Sequence, residues 1–178
     1  MPHIALPSPA PGVRGLFSVK PETGRRMNEL AEQLLRGKSP LTTAERELIG
    51  TYVSSRNETR YCTDAHGATA AELLDGDTAL VEAVKADLDT APLSDLMRAL
   101  LRLAGQVAVS GLAVSPEDIA TARAAGADDE TIHDTVLIAA AFCMFNRYVD
   151  GLAAITPDDP AVYRATGAYL ATNGYLDI

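Results

Sequence analysis

Apolar residues recur along most of the chain at three- and four-residue spacings, and no segment keeps up the apolar–polar alternation of a strand. Met27, Leu30, Ala31, Leu34 and Leu35 mark one helix face, and Gly37 follows as a stop. Thr42, with Glu45 three residues on, makes a capping box for a helix that carries Leu48, Ile49, Tyr52 and Val53. That helix ends between Ser54 and Asn57, where another begins and runs through Leu73 and Leu74 to Gly76. Leu80, Val81, Val84 and Leu88 define a short helix, and Pro92 stands where a first helical position would be for one from Leu93 to Val109. Ser115-Pro116-Glu117-Asp118 opens the next helix, and Gly126 closes it.

Asp128 or Asp129 caps a helix reaching about Ile155, and Val136 through Phe145 leaves it no polar face. A helix apolar all round belongs inside a bundle or at a subunit interface. Pro157 and Pro160 separate it from a last helix bearing Val162, Tyr163, Tyr169 and Leu170. Residues 1–20 differ. Pro2, Pro7, Pro9 and Pro11 alternate with small or apolar residues, which predicts an extended arm. Ile4, Leu6, Val13, Leu16 and Phe17 are too apolar for a free tail, so the arm packs on its own domain or on a neighbouring subunit. The expectation is a single all-α domain over 21–178, preceded by an extended proline-rich arm over 1–20.

Composition narrows the setting. With 178 residues, 47% hydrophobic and 22% charged, the chain can build one core without staples. A net charge of −9 argues against nucleic acid as a partner. No run of about 18 apolar residues suggests a membrane span. The opening residues lack a basic segment followed by an apolar core, so a cytoplasmic, reducing compartment is expected, with both cysteines as thiols. Three histidines and two cysteines supply no zinc cage at a recognisable spacing, and neither a metal nor a cofactor is expected.

One stretch carries candidate chemistry. Cys62 and His66 stand four apart, on one face at neighbouring turns of a helix. Asn57 or Thr59 would cap that helix, placing Cys62 near its positive end beside Arg60, and both features favour a thiolate. His66 would then take or give the proton. If the chain reverses near residue 57, Glu47 lies ~15 Å back along one helix and His66 ~13 Å forward along its antiparallel partner, so the two share one height. A carboxylate beside an imidazole orients it and raises its basicity. Taken alone, a Cys–His pair at this spacing is commonly incidental. Cys143 reads as a buried core thiol, His133 as solvent-facing and Glu45 as a capping residue. Arg147 reads as a structural cation in a buried helix, needing Asp150 or a facing carboxylate.

These residues resemble the alkyl hydroperoxidase D-like (AhpD-like) and carboxymuconolactone decarboxylase family, in its peroxidase-related branch. Glu47 stands fifteen residues before Cys62, as the family's relay glutamate does. The run Asn57-x-x-x-Tyr61-Cys62-x-x-Ala65-His66-Gly67 resembles the family's Asn-x-Cys-x-Tyr-Cys-x-x-Ala-His core. Phe145-Asn146-Arg147-Tyr148-Val149-Asp150, Pro11-Gly12 and Pro21-Glu22 resemble flanking segments of the branch. The resemblance implies an AhpD-like helical bundle, a homo-oligomer, and a catalytic set of Cys62, His66 and Glu47. It implies a thiol-dependent peroxidase taking a small hydroperoxide, with antioxidant function.

One position departs from the pattern. Thr59 stands where the family's resolving cysteine stands, so an external thiol or dithiol must resolve an oxidised Cys62, unless Cys143 can reach it. The family's other named branch implies a second reading, a cofactor-free decarboxylase or related lyase with His66 as acid/base. A third is a non-catalytic relic kept for its oligomer.

Overall fold

The computed structural model describes residues 1–177, and these are helical with no strand among them. Helix α1 spans Val13–Phe17, α2 Pro21–Arg36, α3 Thr43–Arg56, α4 Arg60–Leu73 and α5 Thr78–Ala86. Helix α6 spans Asp95–Val109, α7 Pro116–Ala124, α8 Asp129–Gly151 and α9 Pro160–Asn173, with a 3₁₀ turn at Gly111–Ala113.

The caps show why the helices start where they do. Thr42 and Glu45 form the reciprocal capping box of α3, and Ser115 with Asp118 forms that of α7. Asp128 caps α8 through the Thr131 amide. Helix α6 begins later than Pro92 predicts, because the Ser94 hydroxyl accepts from the Met97 amide and sets the start at Asp95. On α2 the buried face is Gly24, Asn28, Ala31 and Leu35, while Leu30 is exposed. The face is thus rotated from the one the apolar spacing marks.

Helix α3 is the centre of the bundle and packs on α4, α6 and α8, while α9 lies against α4. The larger core gathers Leu48, Ile49 and Val53 of α3, Leu100, Leu101 and Ala104 of α6, and Ile138 and Phe142 of α8. A smaller cluster joins Leu16 to Tyr61, Cys62 and Ala65 of α4, with Val149, Ala154 and Tyr163. Gly50 of α3 permits the close approach of α8, since a Cβ there would overlap the Phe142 ring.

Two expectations need correction. The segment 1–20 is not extended throughout: Val13–Phe17 is a helical turn, and it buries Leu16 and Phe17 against the smaller cluster. Upstream of it the arm is tied down. The His3 amide donates to the Leu152 carbonyl at 3.0 Å and the Gly12 amide to the Ile155 carbonyl at 2.8 Å. Gly12 has φ +60 and lies against the Tyr61 ring, where a side chain has no room. The second is Arg147 as a cation enclosed in α8, a helix that leaves one apolar face exposed, as its subunit-interface alternative allows. Leu137 and Met144 are exposed, and Arg147 lies exposed on the same face, its guanidinium donating to the Cys143 carbonyl rather than meeting a carboxylate.

Candidate active site

A cavity of about 430 Å³ lies where the larger core and the smaller cluster fail to meet. Its walls are mainly apolar, with Val13, Phe17, Ala31, Leu34, Leu35, Phe142, Val162 and Leu170 among them. Cys62 and His66 of α4 both line it, as do Tyr61, Arg14 and Tyr175.

Glu47 stands behind His66. It comes from the second turn of α3, which packs along α4, and it is 0% exposed. Its Oε2 is 2.8 Å from His66 Nδ1. Its Oε1 takes the Tyr175 hydroxyl at 2.6 Å and an Arg36 guanidinium nitrogen at 2.7 Å. Arg36 also lies over the Tyr175 ring, 5.0 Å from the centroid, and donates to the Leu170 carbonyl. Burial pushes the Glu47 carboxyl up, but the His66 hydrogen bond and charge, with Arg36 and Tyr175, outweigh it and hold the group below its ordinary value. Burial, and then the Glu47 charge, pushes the Tyr175 hydroxyl well above its ordinary value, so it stays a donor. With Nδ1 turned to Glu47, Nε2 is the His66 nitrogen left for the cavity. The Phe142 ring stands edge-on to the imidazole, with centroids 4.6 Å apart, and fixes its plane.

Cys62 is 3% exposed, and burial pushes its thiol up to about 12; a bond from the Asn146 side chain opposes this and the Asp150 charge adds to it. The expectation of a thiolate at a helix start is therefore not met. Desolvation outweighs the helix-terminal amides, and Arg60 faces away, pairing with Asp158 at 2.8 Å and Asp64 at 3.6 Å. Thr59 is the N-cap residue of α4 and makes no side-chain cap; its buried hydroxyl donates to Asp150 Oδ2 instead.

Cys143 is half-buried rather than a core thiol, and the Asn57 amide lies 3.6 Å from its sulfur. The same amide donates to Asn146 Oδ1 at 2.8 Å, and Asn146 donates to Ser54 at 3.0 Å. Two asparagines thus stand between the surroundings of the two sulfurs, and both cysteines are free. His133 is exposed, and Glu45 caps α3. Among the described residues no cluster of histidine, cysteine, aspartate or glutamate could hold a metal ion, and no helix is long and apolar enough to cross a membrane.

The sequence reading missed Arg36, Tyr175, Asn146 and Arg14. Arg36 ends α2 and Tyr175 follows α9, so both reach Glu47 only through the tertiary fold. Asn146 falls within the Phe145–Asp150 segment that resembles the family, but nothing in its spacing points to Cys62.

Residues 21–105 match the sequence profile of the carboxymuconolactone decarboxylase family. Among solved structures, the chain is similar to an uncharacterized peroxidase-related protein from Silicibacter sp. TM1040, with 29% identity and a TM-score of 0.79, covering 88% of this chain and 80% of that one. It is also similar to an uncharacterized peroxidase-related protein with an alkylhydroperoxidase AhpD core from Ralstonia eutropha JMP134, with 25% identity and a TM-score of 0.78, covering 89% and 81%. A protein of unknown function from Agrobacterium tumefaciens, at 19% identity and a TM-score of 0.71, shares the fold over 81% of this chain and 97% of that one. A search of curated proteins finds no match. Residues 21–105 thus carry the profile of the carboxymuconolactone decarboxylase family, and the chain has an AhpD-like all-α fold. That family is enzymatic, with peroxidase-related and decarboxylase members.

Proposed function

We propose that the protein is a thiol-dependent peroxidase in which Cys62 attacks a small organic hydroperoxide. The observation that carries this reading is a cavity lined by both Cys62 and His66, with Glu47 2.8 Å behind the imidazole. The thiol rests protonated, so attack needs a base at the moment of reaction, and His66 is one helical turn away. The sulfur bonds to the terminal peroxide oxygen as the O–O bond breaks. The thiol proton passes through His66 to the departing alkoxide, giving Cys62 sulfenic acid and an alcohol. Glu47, held ionised by Arg36 and Tyr175, stabilises the imidazolium in between.

Thr59 provides no resolving thiol. One external thiol therefore displaces water from the sulfenate as a mixed disulfide, and a second releases Cys62 as thiol with an external disulfide. A reducing, cytoplasmic setting suits that cycle. Consumption of cumene hydroperoxide with dithiothreitol tests it: activity lost in Cys62→Ser and lowered at least ~100-fold in His66→Gln supports the reading. Full activity in Cys62→Ser overturns it.

A second reading draws on the same structure. A thiol held at about 12 and a carboxylate-backed imidazole also suit acid/base chemistry without the sulfur. Turnover of a small carboxylated lactone that survives Cys62→Ala would favour this lyase. We also infer a homo-oligomer, supported by the exposed Leu137 and Met144 on α8. A strict monomer by light scattering at micromolar concentration would contradict it. Neither activity in a protein that still assembles would leave the non-catalytic reading.

A further inference from the structure

We propose that the cavity takes an amphipathic monocarboxylate, an apolar chain ending in a carboxylate bound by Arg14. This names the substrate class of the site above and rests on the reading that the cavity is where substrate binds. Arg14 lies on α1 and lines the cavity beside the Tyr61 hydroxyl. Its Nε is buried and has no hydrogen-bond partner, and no carboxylate among the described residues pairs with its guanidinium.

Arg36 Nε and Arg98 Nη1 are likewise buried without a hydrogen-bond partner, but Arg36 meets Glu47 and Arg98 donates to the Ala91 and Leu93 carbonyls. A net charge of −9 offers a surplus of carboxylates, and the other cations nearest the site use them: Arg36 holds Glu47, and Arg60 holds Asp158. A guanidinium part-way out of water beside apolar walls is costly unless an anion meets it. Glu47, behind the cavity, is already engaged by Arg36, His66 and Tyr175, and Glu32 accepts from the Tyr175 amide. Among the described residues no carboxylate pairs with Arg14, and an anion from outside would complete it.

The arm fixes this cation in place. Gly12 turns with φ +60 against the Tyr61 ring and is tied to Ile155, so Arg14 two residues on is set at the cavity rather than swinging in solvent. The remaining wall is apolar on α2 and α9, through Leu34, Leu35, Val162 and Leu170. A planar fork of donors at one end and an aliphatic wall beyond it match a carboxylate with a hydrocarbon tail. A volume of about 430 Å³ admits a chain of medium length.

Calorimetric titration with octanoate, compared with octan-1-ol, tests this without any thiol chemistry. We expect octanoate to bind at least ~10-fold more tightly than the alcohol, and Arg14→Gln to remove that difference while leaving alcohol binding unchanged. Arg14→Lys should keep part of the preference. If Arg14→Gln fails to fold by circular dichroism, the acid–alcohol comparison in the wild type and in Arg14→Lys still decides. Absence of octanoate binding at millimolar concentration, equal affinity for acid and alcohol, or a preference that survives in Arg14→Gln overturns the proposal. Octanoate bound through Arg14 by a protein that consumes no peroxide would leave this proposal standing and remove the peroxidase reading. Peroxide turnover without octanoate binding would do the reverse.

Discussion

At the scale of single residues, the contest is between burial and charge, and it comes out differently at Glu47 and Cys62. Glu47 is enclosed but surrounded by donors, so it stays ionised; Cys62 is enclosed with little to stabilise a thiolate, so it stays protonated. Iodoacetamide should therefore alkylate Cys62 at pH 8 far more slowly than a free thiol of pKa ~8.5, with the rate still climbing beyond pH 10. A titration midpoint near the free value would show the site to be wetter than its 3% exposure implies. Replacing Glu47 by Gln should destabilise the fold by roughly 3–5 kcal/mol, because Arg36 is left without its charge partner; denaturant unfolding measures it. The juxtaposition of Glu47 and His66 was legible in the sequence because it depends only on helix rise and one chain reversal. The state of Cys62 was not, because desolvation is set by Tyr61, Ala65 and Val149 packing around it, and no local spacing encodes that.

Among the helices, caps were the most readable feature and burial the least. Thr42 and Ser115 act through the backbone of their own first turn, so sequence alone locates them, and it narrows the α8 cap to Asp128 or Asp129. Helix α3 carries Glu45, Arg46 and Glu47 in its first turns, yet it is the central one. It can be central because Arg46 donates to the Leu34 and Gly37 carbonyls at the end of α2, and because Glu47 has three partners. Helix α8 is the opposite case, apolar in sequence yet exposed along Leu137 and Met144. Thr59 joins α4 to α8 through Asp150. In Thr59→Cys the new thiol at the start of α4 should form a disulfide with Cys62 on oxidation and raise turnover with dithiol reductants, since an intramolecular thiol has a far higher effective concentration than a free one. Mass spectrometry after one equivalent of peroxide checks this. An oxidised Cys62 that stays unpaired with the new cysteine would mean that the geometry at Thr59 does not permit the bond.

For the molecule as a whole, the buried Glu47 couples folding to acidity. Its carboxyl is held below the ordinary 4.5 in the fold, so its contribution is full above that value and is lost as pH falls through the depressed one. Wild-type stability should drop with acid below about pH 4.5 more steeply than that of Glu47→Gln, as thermal melts at a series of pH values would show. The helical bundle and the arm set Cys62 and His66 on one cavity, with Glu47 behind the imidazole and Val13, Arg14 and Phe17 in the wall. The most direct test is single-turnover oxidation. The protein is mixed with one equivalent of cumene hydroperoxide and dimedone, and the adduct at each cysteine is followed by mass spectrometry. The account predicts a dimedone adduct at Cys62, forming at least ~100-fold more slowly in His66→Gln and more slowly in Glu47→Gln. An unmodified Cys62, a Cys62–Cys143 disulfide in place of the adduct, or an equal rate in His66→Gln would contradict it.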